Sequence, residues 1–133
     1  MILEDIYSYL VNDANLQTLL NGDEDNPKIY PNYAKASEME PFVIYRSLNP
    51  GTSREGVLED EIINFEIIAS DYEKLIDISL RLGELLDKVK EDDIPSANYR
   101  IFYGEKTGGS DFSDALRRHV RMLNFAFKFK NKE

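Results

Sequence analysis

Apolar residues occupy Ile2, Leu3, Ile6, Tyr7, Leu10 and Val11. That is one pair per turn, which lays a single stripe down an amphipathic helix over residues 2–11. Asn12 and Asp13 interrupt the stripe, and Asp13 is placed to cap a short second helix bearing Leu16, Leu19 and Leu20. Gly22 ends that helix, and the stretch GDEDNP is a polar loop.

Beyond it the period changes. Ile29 and Tyr30 begin a short extended piece, which Pro31 confines to a sheet edge or a bend. PFVIYRSL (41–48) is β-branched and aromatic and reads as a strand, followed by a turn-rich loop, NPGTSREG (49–56). In VLEDEIINFEIIAS (57–70), Ile63, Phe65, Ile67 and Ala69 share one face; Ile62, Asn64, Glu66 and Ile68 share the other. The two runs predict a long antiparallel hairpin. Residues 29–40 are expected along the sheet edge.

The helical period returns over 70–93, with Ser70 or Asp71 as cap and Tyr72, Leu75, Ile76, Ser79, Leu82, Leu86 and Val89 on the stripe. Gly83 interrupts this helix at a cost of about 1 kcal/mol relative to alanine, which suggests close packing on a sheet. YRIFYG (99–104) reads as a strand and EKTGGSDFSD (105–114) as a flexible loop. The segment ALRRHVRMLNFAFKFK (115–130) ends in strict alternation, with Leu123, Phe125, Phe127 and Phe129 towards the core. The predicted order is α-(α)-β-β-β-α-β-β. It describes one α+β domain over residues 1–133, with two main helices packed on an antiparallel or mixed sheet.

Composition fits that picture. A chain of 133 residues with 42% apolar residues, including 8 Tyr and 7 Phe, can build a core without staples. Cysteine is absent, which removes thiol catalysis, disulfides and cysteine-ligated zinc. The N-terminus carries Glu4 and Asp5 and lacks a basic region ahead of its apolar residues, so it is not read as a signal peptide. No run approaches the roughly 18 apolar residues of a membrane span. A soluble, cytoplasmic protein is expected.

The net charge of −9 is unevenly placed: residues 1–99 hold 8 Lys/Arg against 21 Asp/Glu, and residues 100–133 hold 8 against 4. An acidic chain is a poor nucleic-acid binder. The asymmetry instead suits head-to-tail contact between copies.

Catalytic signatures are missing. His119, the only histidine, stands among Arg117, Arg118 and Arg121 without a nucleophile at a telling spacing and reads as a surface or interface residue. Glu59 and Glu61 point the same way on a strand, and Asp23 and Asp25 lack the rest of a calcium loop. Glu91, Asp92 and Asp93 crowd a helix C-terminus. All read as solvated acidic surface, with a weak magnesium or calcium site as the alternative. GTSREG and GEKTGGS match no phosphate loop, since Lys106 precedes its glycines. Two glycine-containing loops of about ten residues exceed what hairpins need and favour interaction. They carry Arg54, Lys106 and Phe112; Tyr33, Tyr103 and Phe112 are candidate aromatic anchors.

Several framework marks carry a resemblance: Ile29-Tyr30-Pro31, the run Pro41-Phe42-Val43-Ile44-Tyr45, and the strand-to-helix passage through Ala69, Ser70, Asp71 and Tyr72. In order and spacing, about residues 2–130 resemble the small tail-terminator (tail-completion, or head–tail joining) proteins of long-tailed bacteriophages and prophages. The resemblance implies a ring, usually a hexamer, on the head-proximal end of the tail tube. There it stops tube polymerisation and joins tail to head, with itself, the tube protein and the head connector as partners. It implies binding without catalysis, cofactor or metal, in the bacterial cytoplasm during assembly and then in the virion tail. In such a ring, Arg117, Arg118 and Arg121 are expected to meet Glu59, Asp60 and Glu61 of the next subunit, with 49–56 as a contact loop. Another head–tail connector or adaptor, a general binding module and a small metal-dependent enzyme are the alternatives.

Overall fold

A computed structural model describes residues 2–35, 38–49 and 59–132. Its elements are α1 (Ile2–Val11), α2 (Ala14–Leu20), β1 (Ile29–Pro31), β2 (Phe42–Asn49), β3 (Glu59–Ala69), α3 (Tyr72–Leu86), β4 (Tyr99–Ser113) and β5 (His119–Asn131). The fold is α+β in the expected order. The contact loop expected at 49–56, with Arg54, lies outside the described residues apart from the backbone of Asn49.

The five strands form one mixed sheet in the order β1-β2-β3-β5-β4. β1 runs parallel to β2, and every other pairing is antiparallel. β5 therefore slots between β3 and β4, and α3 crosses from one to the other, a split βαβ unit. Alternation decides which residues face the helices. Val43, Ile63, Phe65, Ile67, Leu123, Phe125, Phe127 and Phe129 pack with Ile2, Ile6, Leu10, Leu16, Leu20, Leu75, Ile78 and Leu82 in one core. The rings of Phe65 and Phe125 meet edge-on at 5.8 Å between centroids.

Caps fix the helix starts. Asp13 accepts from the Leu16 amide at 2.8 Å, and Asp71 from the Glu73 amide at 3.0 Å. α2 closes on Asn21 in the left-handed region (φ 56°), so the residue before Gly22 makes the turn.

Three expectations are corrected. α3 stops at Leu86 instead of continuing to 93, because Lys88 pairs its backbone with Gly104 (3.0 and 2.8 Å) and abandons the helical pattern. Val89, assigned to the buried stripe, is consequently 91% exposed. The segment 105–114 is not a loop: Glu105 to Ser113 continue β4 against β5, with a bulge between Lys106 and Gly108. Pairing with a strongly apolar strand overrides the weak strand propensity of glycine and aspartate. Lastly, Gly83 does not serve close packing, since a Cβ there would meet nothing within 4 Å. Gly83→Ala is therefore expected to raise unfolding free energy by about 0.5–1 kcal/mol, read as a higher urea midpoint at unchanged slope.

Candidate assembly surface

The three helices described cover one face of the sheet and leave the other face without a helix. Along its middle, polar residues pair across strands. Arg46 donates to Glu66 at 2.6 Å, and Asn64, which is buried, donates to Asn124 at 2.8 Å. Further along, Lys128 pairs with Asp60 at 3.4 Å.

At one corner the face becomes apolar. Phe42, Ile68 and Val120 form a second small buried cluster, flanked by Tyr30, Ala34 and Ile44. They floor an open hollow of about 150 Å³ rimmed by Lys35, Glu66, Phe112, Asp114 and Arg118. Residues 32–35 and 38–40 and the β4–β5 turn converge there, tied by Arg118 and Glu40 at 3.8 Å. Large hydrophobic residues stand exposed there: Tyr33 (77%), Met39 (74%) and Leu116 (60%) on these segments, and Phe112 (45%) near the end of β4. Glu38 and Met39 are held by a buried cation: the Lys28 ammonium donates to the Met39 carbonyl at 2.6 Å and lies 3.9 Å from Glu38. The Tyr30 hydroxyl also donates to Glu38; burial, followed by that carboxylate, pushes the phenol up to about 12. No sequence pattern announces this clamp, because Lys28 reads as an ordinary loop lysine.

The expected cation cluster is divided by the fold. Arg118 lies over the Phe42 ring at 5.4 Å and pairs with Asp114 at 2.8 Å. Arg121 faces the helices. It grips Asp111 at 2.7 and 2.9 Å and donates to the Tyr72 hydroxyl and the Ser79 hydroxyl, both at 3.3 Å. The bond from Arg121 holds the Asp111 carboxyl below its ordinary range. Arg117 is exposed at the turn with φ 61°, and among the described residues it has no ion-pair partner. His119 stacks edge-on against Tyr72 at 5.3 Å.

The acidic set divides as well. Asp60 is exposed and Glu59 half-buried, whereas Glu61 is 3% exposed and faces the helices opposite Phe127. That corrects the placement of Glu61 on a solvated acidic surface. Lys106 is exposed on the outer strand β4.

The two sets occupy opposite ends of the sheet. β3 and β5 pair Glu59 with Phe129 at one end and Ala69 with His119 at the other. Ten residues of strand separate these ends, about 33 Å. Among the described residues, no three or more His, Asp or Glu side chains converge in a metal-binding group. Nor, among the described residues, is any helix long and apolar enough to cross a membrane. The surface offers complementary side chains and apolar anchors, which suit binding.

The sequence matches no family model and no curated protein. Among solved structures, the fold is similar to a chain described as "Virion of native gene transfer agent (GTA) particle". The TM-score is 0.65 at 13% identity, over 96% of this chain and 92% of that one. The likeness shows a shared fold across nearly the whole domain.

Proposed function

We propose that the chain is a structural subunit of a phage-like particle, of the tail-terminator kind. Copies form a ring, six in the simplest case, that caps the head-proximal end of the tail tube, stops its growth and presents a surface to the head connector. The subunit works by binding; it needs no catalytic group or cofactor. The sequence resemblance and the fold shared with a chain of a virion particle support this reading.

The observation that carries it is the placement of charge at opposite ends of the sheet. Identical subunits in a closed ring meet through two different patches, so each must carry both halves of the contact. Here Arg117 and the exposed Leu116 stand at one end, with Glu59 and the exposed Asp60, which also pairs with Lys128 at 3.4 Å, about 33 Å away at the other. Arg118 and Arg121 support the turn from inside and contribute less to the contact.

Absolute mass by light scattering, with negative-stain images across protein concentration and salt, tests the proposal. A ring that weakens with salt is expected. Arg117→Glu should disperse it into monomers that melt as the parent does, and a compensating Asp60→Arg should restore it. A chain that stays monomeric throughout and fails to bind a preformed tube overturns the proposal.

A further inference from the structure

The outer strand of the sheet is open over most of its length. Every residue from Glu105 to Ser113 except Gly108 is exposed, and the segment pairs on one side only, with β5. The directions of its free backbone groups follow from one contact. Gly104 uses both its N–H (2.8 Å) and its C=O (3.0 Å) on Lys88, on the side away from β5. Backbone groups alternate along a strand, and the extra residue in the bulge shifts the alternation by one. Lys106, Gly109, Asp111 and Ser113 therefore present their amides and carbonyls outwards. The opposite edge cannot receive them. β1 has three residues, and Asn32 donates inwards to Tyr45 at 2.9 Å, which leaves Pro31, without an N–H, at the outward position.

We propose that this edge pairs with the same edge of a second copy, antiparallel, about a two-fold axis through Ser110. The outward positions are self-complementary in that register. Lys106 lies opposite Ser113 and Gly109 opposite Asp111 of the second copy, and the same pairs recur in reverse, so the bulges on the two strands are both accommodated. Lys106 then lies diagonally from Asp111 of the second copy, a pairing of unlike charge. On the helix-free face, Phe112 lies across from Gly108 of the second copy, where an aromatic ring covers the backbone that glycine leaves bare. The occupant is a second copy and not a longer array, because a two-fold contact consumes both open edges and ends at two. An uncovered edge of this length would otherwise template further strand addition. The contact goes beyond the ring and does not depend on it, since a ring closes through unlike patches and this one joins like to like.

Absence of native cysteine makes the test direct. Ser110 shows its backbone to β5, so the two Ser110 residues form a non-hydrogen-bonded pair with Cα atoms about 4.5 Å apart, within disulfide reach. Under mild oxidation, Ser110→Cys should give a covalent dimer at least tenfold faster than Glu24→Cys, an exposed control site elsewhere. Phe112→Ser should slow that crosslink. In the unmodified protein, exchange at the Gly109 and Asp111 amides should slow as concentration rises, while exchange at the inward Ser110 amide stays constant. Equal crosslinking rates for Ser110→Cys and Glu24→Cys, or outward amides unprotected at every concentration, overturn the proposal. Ring formation without the crosslink separates its failure from that of the ring reading, and the crosslink without a ring does the reverse.

Discussion

Gly104→Ala is expected to lower stability by about 3 kcal/mol, at the upper end for an overpacked site. A Cβ built at Gly104 would sit 2.2 Å from the Leu86 carbonyl oxygen and 2.8 Å from the Phe127 ring. Neither neighbour can withdraw cheaply. The carbonyl belongs to the last residue of α3, and Phe127 is fully buried between helix and sheet. Relief would move β4 outwards and break both backbone hydrogen bonds between Gly104 and Lys88, which tie the end of the helix to the sheet. Urea unfolding followed by circular dichroism measures the loss. Gly108→Ala on the same strand is the control: its Cβ meets nothing within 4 Å, so a change well under 1 kcal/mol is expected. Equal effects at the two glycines would show that strand propensity governs the cost and not the close approach.

That glycine also illustrates what the sequence made legible. Alternation through Ile63, Phe65 and Ile67, and again through Leu123, Phe125, Phe127 and Phe129, was enough to place two central strands and their buried faces. The pairing of Asp13 with a following apolar stripe was enough to place a cap. Both signals are local, and packing agrees with them. The insertion of β5 between β3 and β4 has no local signal, because it depends on where the crossover helix lands. The second half of β4 was hidden for a different reason. Its glycines, serines and aspartate carry the composition of a loop, and it is a strand only because β5 supplies a partner along its whole length.

One such misreading hides another. With 105–114 taken as a loop, Asp111 and Arg121 have no reason to meet; with β4 extended they are direct cross-strand partners. An apparent surface cluster of arginines thus resolves into two residues ion-paired within the chain and one exposed residue. The same holds for Glu61. Its place in an alternating strand was readable, but the burial of that end of the helix-facing side depends on Tyr99 and Phe129, which stack edge-on at 5.3 Å from strands far away in sequence. Charge patterning along the chain therefore separated the acidic set from the basic one, while tertiary pairing determined which of those residues stay exposed.

Asp13→Ala is expected to lower stability by about 2–3 kcal/mol at neutral pH, because one carboxylate serves two elements. It caps α2 through the Leu16 amide, a role worth about 1 kcal/mol. It also accepts two bonds from Arg81 of α3, at 2.6 and 2.9 Å, and bonds to charged groups contribute roughly 1.5–3 kcal/mol. Both side chains are mostly shielded from solvent, so screening removes little of this. In the variant, Arg81 keeps only Glu84 at 3.0 Å, a carboxylate that is largely exposed. The effect carries a pH signature. The bond from Arg81 holds the Asp13 carboxyl below its ordinary range. A depressed folded-state value means the stabilisation is fully present above the unfolded value, about 3.9, and is lost as pH falls through the folded one. The gap between parent and variant in urea melts should therefore be wide at pH 7 and narrow markedly at pH 3. Arg81→Leu should erase most of the pH-dependent part while leaving the cap, and the double variant should cost less than the sum of the two singles. A gap that stays constant from pH 7 to pH 3 would mean that the carboxylate acts through shape at the cap and not through its charge.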